Sequence, residues 1–263
     1  MIFGLFFGII KAIMYIFLVA ILGLVVGSFL NAVIYRLHAG VSFMHGRSYC
    51  PHCKHNLASK DLVPLFSFLF LRGRCRYCQK PISWQYPLVE LMTAAGFIAV
   101  LWKFDVSATL LVYCLYTCLL MIIFVFDLRY YLILDRVSIP AVIIAGVLSA
   151  IVLHISVASL FIGAVIGGGF FLIQFLVSRG KWIGGGDIRL GVLMGVMLGW
   201  PQILVALVIA YFIGSVIGVG LIVSRRKKWQ SQVPFGTFLS VATFITFFIG
   251  PAVVNYYQGL FIL

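Results

Sequence analysis

Acidic side chains are scarce in this sequence. Six Asp and Glu stand against 19 Lys and Arg in 263 residues, and only 10% of the chain is charged. Hydrophobic residues make up 63%, with a mean hydropathy of +1.17, where a soluble domain holds roughly 45–50% apolar residues. A water-soluble core of this length cannot hide so much apolar surface, so lipid is the solvent for much of the chain. Also missing are G-x-S-x-G, H-E-x-x-H and a phosphate-binding P-loop, which removes the usual serine-hydrolase, zincin and nucleotide-hydrolase signatures. No basic residue precedes Lys11, and no A-x-A-like site follows the first apolar run. That run is expected to be a retained helix and not a secretory signal.

What is present is a series of apolar runs. They predict an all-α polytopic membrane protein of about eight transmembrane helices, near 12–35, 87–102, 106–126, 137–153, 157–177, 188–200, 203–223 and 233–259. The runs near 87 and 188 are short for the ~20 residues a spanning helix needs. If the N-terminus lies outside and the spans alternate, 17 of the 19 basic residues fall in inside loops, leaving only Lys11 and Lys103. That bias matches the positive-inside rule, and it makes nucleic-acid binding the poorer explanation of a formal charge of +13. The expected organisation is a first helix over 1–36, a cytoplasmic loop domain over 37–86 and a seven-helix membrane core over 87–263, with both termini outside.

The loop domain is polar, basic and too small for a stable core without a staple. It carries "SYCPHCKHNL" and "LRGRCRYCQK", so Cys50 and Cys53 form one C-x-x-C and Cys75 and Cys78 another. Twenty-one residues lie between the pairs, just beyond the usual zinc-ribbon interval of about 15–20. Four thiolates from two such turns suit a closed structural zinc site of zinc-ribbon type, with no open position for catalysis. Two disulfides or free thiols are the other readings, and a cytosolic loop disfavours disulfides. His45, His52 and His55 lie nearby as substitute ligands or solvated loop residues. Cys114 and Cys118 sit one turn apart in an apolar run and read as packing thiols.

The carboxylates are the remaining chemistry. Asp127, in "IIFVFDLRYYLILDRVSIP", ends the third span, and Asp187, in "IGGGDIRL", begins the sixth. Alternating spans place both at the cytoplasmic face, with Asp135 and Glu90 on the same side. Arg129, Arg136 and Arg189 offer simple charge balance, which is the better account of Asp135 and Glu90. A capping Asp187 would not need Gly184, Gly185 and Gly186 before it, because glycine is kept where backbone bends unusually or something approaches closely. Two aspartates brought together share a proton. The ionised one activates water and the protonated one polarises a scissile carbonyl.

At these residues the chain closely resembles the type IV prepilin peptidases, bifunctional leader peptidase and N-methyltransferase enzymes of the G-x-G-D type. The resemblance runs through "GSFLNAVIYRL", the two C-x-x-C pairs, "ISWQYPLVE", "DLRYYLILD" and "GGGDIRL". It implies cleavage of a basic leader from prepilins and pseudopilins at the cytoplasmic face of the bacterial inner membrane. It also implies methylation of the new N-terminus with S-adenosylmethionine, serving a type IV pilus or protein-secretion system. It maps the catalytic aspartates onto Asp127 and Asp187, with Gly184, Gly185, Gly186, Asp135 and Glu90 as supporting residues. No dinucleotide-type fingerprint marks the S-adenosylmethionine site, and the loop domain is the one sizeable piece outside the membrane to bear it. Arg189 stands where the family often has Lys, and Leu134 where it often has Pro. The basic run "SRRKKWQSQ" is a further departure, read as lipid-anchoring. The alternatives are a peptidase without methyl transfer or, in a different class, a transporter whose aspartates bind ions or protons at helix breaks.

Overall fold

The computed structural model describes residues 2–42, 46–224 and 233–261, with side chains from residue 10 to 260. His45 and nearly all of the basic run (225–232) lie outside the described residues. The chain is all-helical: α1 (Ile2–His38), α2 (Phe66–Phe70), α3 (Gln85–Phe104), α4 (Ala108–Tyr130), α5 (Asp135–Ile151), α6 (Val157–Ser178), α7 (Gly185–Leu198), α8 (Gln202–Val223) and α9 (Phe235–Phe261). Six of these are long and apolar enough to cross a membrane: α1 from Ile10, α3, α4, α6, α8 and α9 to Leu260. The expected eight runs are all helices, but α5 has 17 residues and α7 only 14. Two glycines bound α7, with Gly184 at its N-cap and Gly199, at φ 70°, at its C-cap. The chain divides into two units, residues 1–121 and 122–263.

In the first unit α1 packs along α3 through small residues four apart. A Cβ on Gly23 would sit 2.5 Å from the Ala94 Cα, and one on Gly27 would sit 2.7 Å from the Glu90 Cα. Such spacing lets helix backbones touch where lipid gives no hydrophobic drive. Asn31 is fully buried. Its amide nitrogen donates to the carbonyls of Gly27 at 3.3 Å and Tyr86 at 3.0 Å, and its oxygen accepts from Gln85. The motifs "GSFLN" and "WQYPLVE" are therefore two sides of one helix contact.

In the second unit α7 is the hub, flanked by α5, α6, α8 and α9. Its stripe of Gly191 and Gly195 faces Gly167 and Gly163 of α6. A Cβ on Gly195 would lie 2.3 Å from the Gly163 carbonyl, and one on Gly191 would lie 2.4 Å from the Gly167 oxygen. Short α7 is thus seated by direct backbone contact, which fixes the direction in which its first turn points.

Candidate active site and metal centre

The first turn of α7 carries Asp187. Its carboxylate reaches back to accept the Gly184 N–H at 3.1 Å, while its own N–H donates to the Gly184 carbonyl. A glycine N-cap has no side chain to complete a capping box, so the backbone and the acid alone close this turn. Asp127 lies inside α4, three residues before its end at Tyr130, where the apolar run had placed it at the end of the span. The polar side chain belongs to the last helical turn, which hydropathy alone cuts off.

Both aspartates are buried, and the charge of Asp127 acts on Asp187. Asp127 Oδ2 accepts the backbone N–H of Thr237 at 2.8 Å, and the Gly236 N–H also donates to this carboxylate. The acid therefore caps the N-terminus of α9 from another helix, gaining two orphan N–H groups and the positive end of a helix dipole. Gly236 leaves room for the carboxylate there, since a Cβ would meet Asp127 Oδ2 at 2.9 Å. Neither Gly236 nor Thr237 was expected as a site residue. The signal available was a Pro-x-Gly at the start of the last run, but its target lies 110 residues earlier.

Ile133 fills the space between these pieces. A Cβ on Gly186 would lie 2.9 Å from the Ile133 Cβ, and one on Gly236 would lie 3.1 Å from the Ile133 Cδ1. The three glycines before Asp187 thus do different things. Gly186 makes room for Ile133, whereas a Cβ on Gly184 would find nothing nearer than 3.9 Å and one on Gly185 nothing nearer than 4.0 Å. Asp135, at the head of α5, forms an ion pair with Arg189 of α7. Tyr211 of α8 lies within the field of Asp187 and donates its hydroxyl to Gln174 of α6 at 2.8 Å.

Glu90 belongs to the first unit and to a different task. Its carboxylate accepts the Leu65 N–H at 2.8 Å and a hydrogen bond from Ser28. Leu65 has φ 58°, so Glu90 ties a strained turn of the loop region to the α1–α3 pair.

The four loop cysteines converge. One ligand atom from each of Cys50, Cys53, Cys75 and Cys78 lies within 4.8 Å of the others, and the Cys50 and Cys78 Sγ atoms are 3.9 Å apart. Tetrahedral thiolate ligation of zinc requires sulfurs about 3.8 Å apart. The two turns repeat one geometry. Cys50 N–H donates to His55 and Lys54 N–H to Cys50, while Cys75 N–H donates to Lys80 and Gln79 N–H to Cys75. Lys54 and Gln79 both have positive φ, and an isolated antiparallel bridge closes each turn, Tyr49 with Asn56 and Arg74 with Pro81. Burial disfavours the Cys50 thiolate, but the N–H groups of Cys53 and His52 outweigh it and bring the thiol down to about 7. The Lys80 N–H favours the Cys78 thiolate. Burial and the neighbouring thiols outweigh it and push that thiol up to about 11. Four such groups ionise together only around a cation. His52 and His55 stay outside the cluster, and His55 stacks on Tyr77 with ring centroids 3.7 Å apart.

Comparison with known proteins agrees over most of the chain. The family model described as the bacterial peptidase A24 N-terminal domain matches residues 21–104, and that of the type IV leader peptidase family matches residues 114–219. A prepilin leader peptidase/N-methyltransferase of Aeromonas hydrophila is 31% identical over 280 residues, covering 95% of this chain and 96% of the relative. The protein of the same description from Bacillus subtilis (strain 168) is 31% identical over 240 residues, 90% of this chain and 95% of the relative. That of Legionella pneumophila is 30% identical over 269 residues, covering 92% and 93%. No solved structure matches at the same stringency.

Proposed function

We propose, from the premise that this chain belongs to the type IV leader peptidase family, that Asp127 and Asp187 are the catalytic pair with which it cuts the leader from prepilins. The observation that carries this reading is their meeting. Two buried aspartates sixty positions apart, each held by backbone N–H groups, are gathered around Ile133, which packs against both Gly186 and Gly236. In such a pair one carboxylate takes a proton from water as the water attacks the scissile carbonyl. The protonated partner donates to the carbonyl oxygen, and the proton then passes to the leaving amine. Asp135 supports the site by locking α5 to α7 through Arg189, and Gly184 and Gly185 leave its mouth open. Positive-inside bias supports a cytoplasmic position for the pair and the loop domain, with the termini outside, in the inner membrane. The N-methyltransferase activity named in the relatives extends to this chain, with S-adenosylmethionine as methyl donor and the loop-bearing first unit as its place. The four thiolates there suit zinc in a structural role.

The test is leader removal from a purified prepilin. Asp127→Ala and Asp187→Ala are each expected to lower kcat by about 10⁴-fold, the scale on which catalytic carboxylates matter. Wild-type cleavage by either variant would end the dyad assignment. A methyl-mass gain on the product N-terminus in the presence of S-adenosylmethionine tests the second activity separately, and its absence would leave a peptidase alone.

A further inference from the structure

The chain between α4 and α5 is non-helical backbone beside the aspartate pair. The Tyr131 N–H closes α4 on the Asp127 carbonyl, and the Leu134 carbonyl accepts from Val137 and Ser138 at the start of α5. Between them the backbone N–H and C=O groups of Leu132 and Ile133 have no partner among the described residues. Leu132 is 51% exposed and Ile133 7%, and Leu134 is extended at φ −77°, ψ 126°. This is a short stretch of unpaired backbone. At a membrane face an unpaired backbone group is expensive, and irregular backbone survives there only where it lines a wet cavity or meets a partner. An open edge is also a ready template for another chain.

Its position gives it a use. The Ile133 side chain is packed under Gly186 and beside Gly236 and Asp127, so the edge runs alongside both halves of the dyad. The Asp135–Arg189 ion pair fastens its far end to α7. On the α7 side the backbone at Gly184 and Gly185 is uncovered. A polypeptide bond within a helix is a poor target for water: its carbonyl is tied to the N–H four residues on and shielded by side chains. An apolar helix opened at this depth would strand its own N–H and C=O groups.

We propose that Leu132–Leu134 is the substrate-binding edge. The segment spanning the scissile bond unwinds, pairs its backbone in extended form with this edge, and crosses the open face of Gly184 and Gly185 to present its carbonyl to Asp127 and Asp187. The proposal rests on the peptidase reading, and the experiment separates the two. Leu132 and Ile133 are each replaced by their α-hydroxy-acid analogues, which turn one amide N–H into an ester oxygen and leave every side chain in place. Loss of one backbone hydrogen bond is expected to lower kcat/KM for prepilin cleavage by up to about tenfold in at least one of the two proteins. Wild-type kcat/KM in both overturns the edge. Independently, prepilin carrying ¹³C carbonyls on either side of the scissile bond is bound to the Asp187→Asn protein, and its isotope-edited infrared spectrum is recorded. An extended, hydrogen-bonded amide is expected, and a helical one overturns the proposal. If Asp187→Asn cleaves at the wild-type rate, it is the dyad that fails, whatever the ester proteins show.

Discussion

Gly184 and Gly186, two residues apart, are expected to behave oppositely when given a methyl group. At Gly186 the new Cβ falls 2.9 Å from the Ile133 Cβ, a β-branched carbon that cannot turn away. Gly186→Ala should therefore cost about 1–3 kcal/mol of stability, as overpacking does. At Gly184 the backbone has φ −85° and open space, so Gly184→Ala should leave stability within about 0.5 kcal/mol while impeding prepilin cleavage. Thermal unfolding set beside cleavage rates separates the two. A destabilised Gly184→Ala protein, or a stable Gly186→Ala one, would contradict the packing. Asp61 yields a second residue-scale prediction, in pH. Burial works against its charge, but Arg76 at 2.7 Å, the Tyr77 hydroxyl at 3.0 Å and the Ala58 N–H hold the carboxyl below its usual value. A folded value depressed below the unfolded one, which is about 3.9, gives stabilisation that is complete above that pH and lost as pH falls through the lower folded value. Asp61→Asn should loosen residues 58–77 at neutral pH and come level with the parent once pH has fallen through that lower folded value, as amide hydrogen exchange in that segment would show.

At the scale of elements, α7 is too short to be held by lipid and is held by α6. Gly195→Ala would drive a Cβ to 2.3 Å from the Gly163 backbone, and backbone cannot rotate aside. A loss near the upper end of the range of about 1–3 kcal/mol is expected, together with reduced cleavage, because the first turn of α7 carries Asp187. Lowered unfolding temperature in a protein with intact activity would detach α7 seating from the site. The helices themselves were legible from sequence, since apolar runs follow directly from lipid as solvent. The aspartates of "GGGD" and "DLRYYLILD" could also be singled out from sequence. Their partners could not. The cap that Asp127 places on α9 depends on how α9 is set against α4, and no local pattern encodes it. Ile133 reads as one apolar residue among many until Gly186 and Gly236 are seen against it. The three glycines looked alike in sequence, and only packing assigned one to the core and two to an opening. Charge balance was the expectation for Glu90 and Asp135; Asp135 does pair with Arg189, whereas Glu90 accepts hydrogen bonds from Leu65 and Ser28, which no local pattern announces.

At the scale of the whole molecule, the two kinds of chemistry divide with the chain. Asp127, Ile133, Asp187, Gly236 and Thr237 all fall within residues 122–263, and the four loop cysteines fall within residues 1–121. Among its described residues, the loop holding those cysteines contains a 3-10 turn, the five-residue α2 and two isolated bridges. Its buried residues include Cys50 and Cys75 themselves, so an ion held by the four thiolates would serve as its core. Binding energy for such an ion becomes folding energy, and a short loop has little else to replace it. Cys75→Ser should therefore lose stoichiometric metal by elemental analysis and become open to protease between residues 46 and 82. The second unit keeps its own packing, through the α6–α7 glycine contact and the α9 cap on Asp127, and neither involves the loop. The fragment left by limited proteolysis should thus retain residues 122–263 intact, with Asp187 still slow to react with a water-soluble carbodiimide. A second unit that unravels with the metal, or a Cys75→Ser protein that keeps its ion, would show that the loop and the aspartate pair do not stand apart energetically.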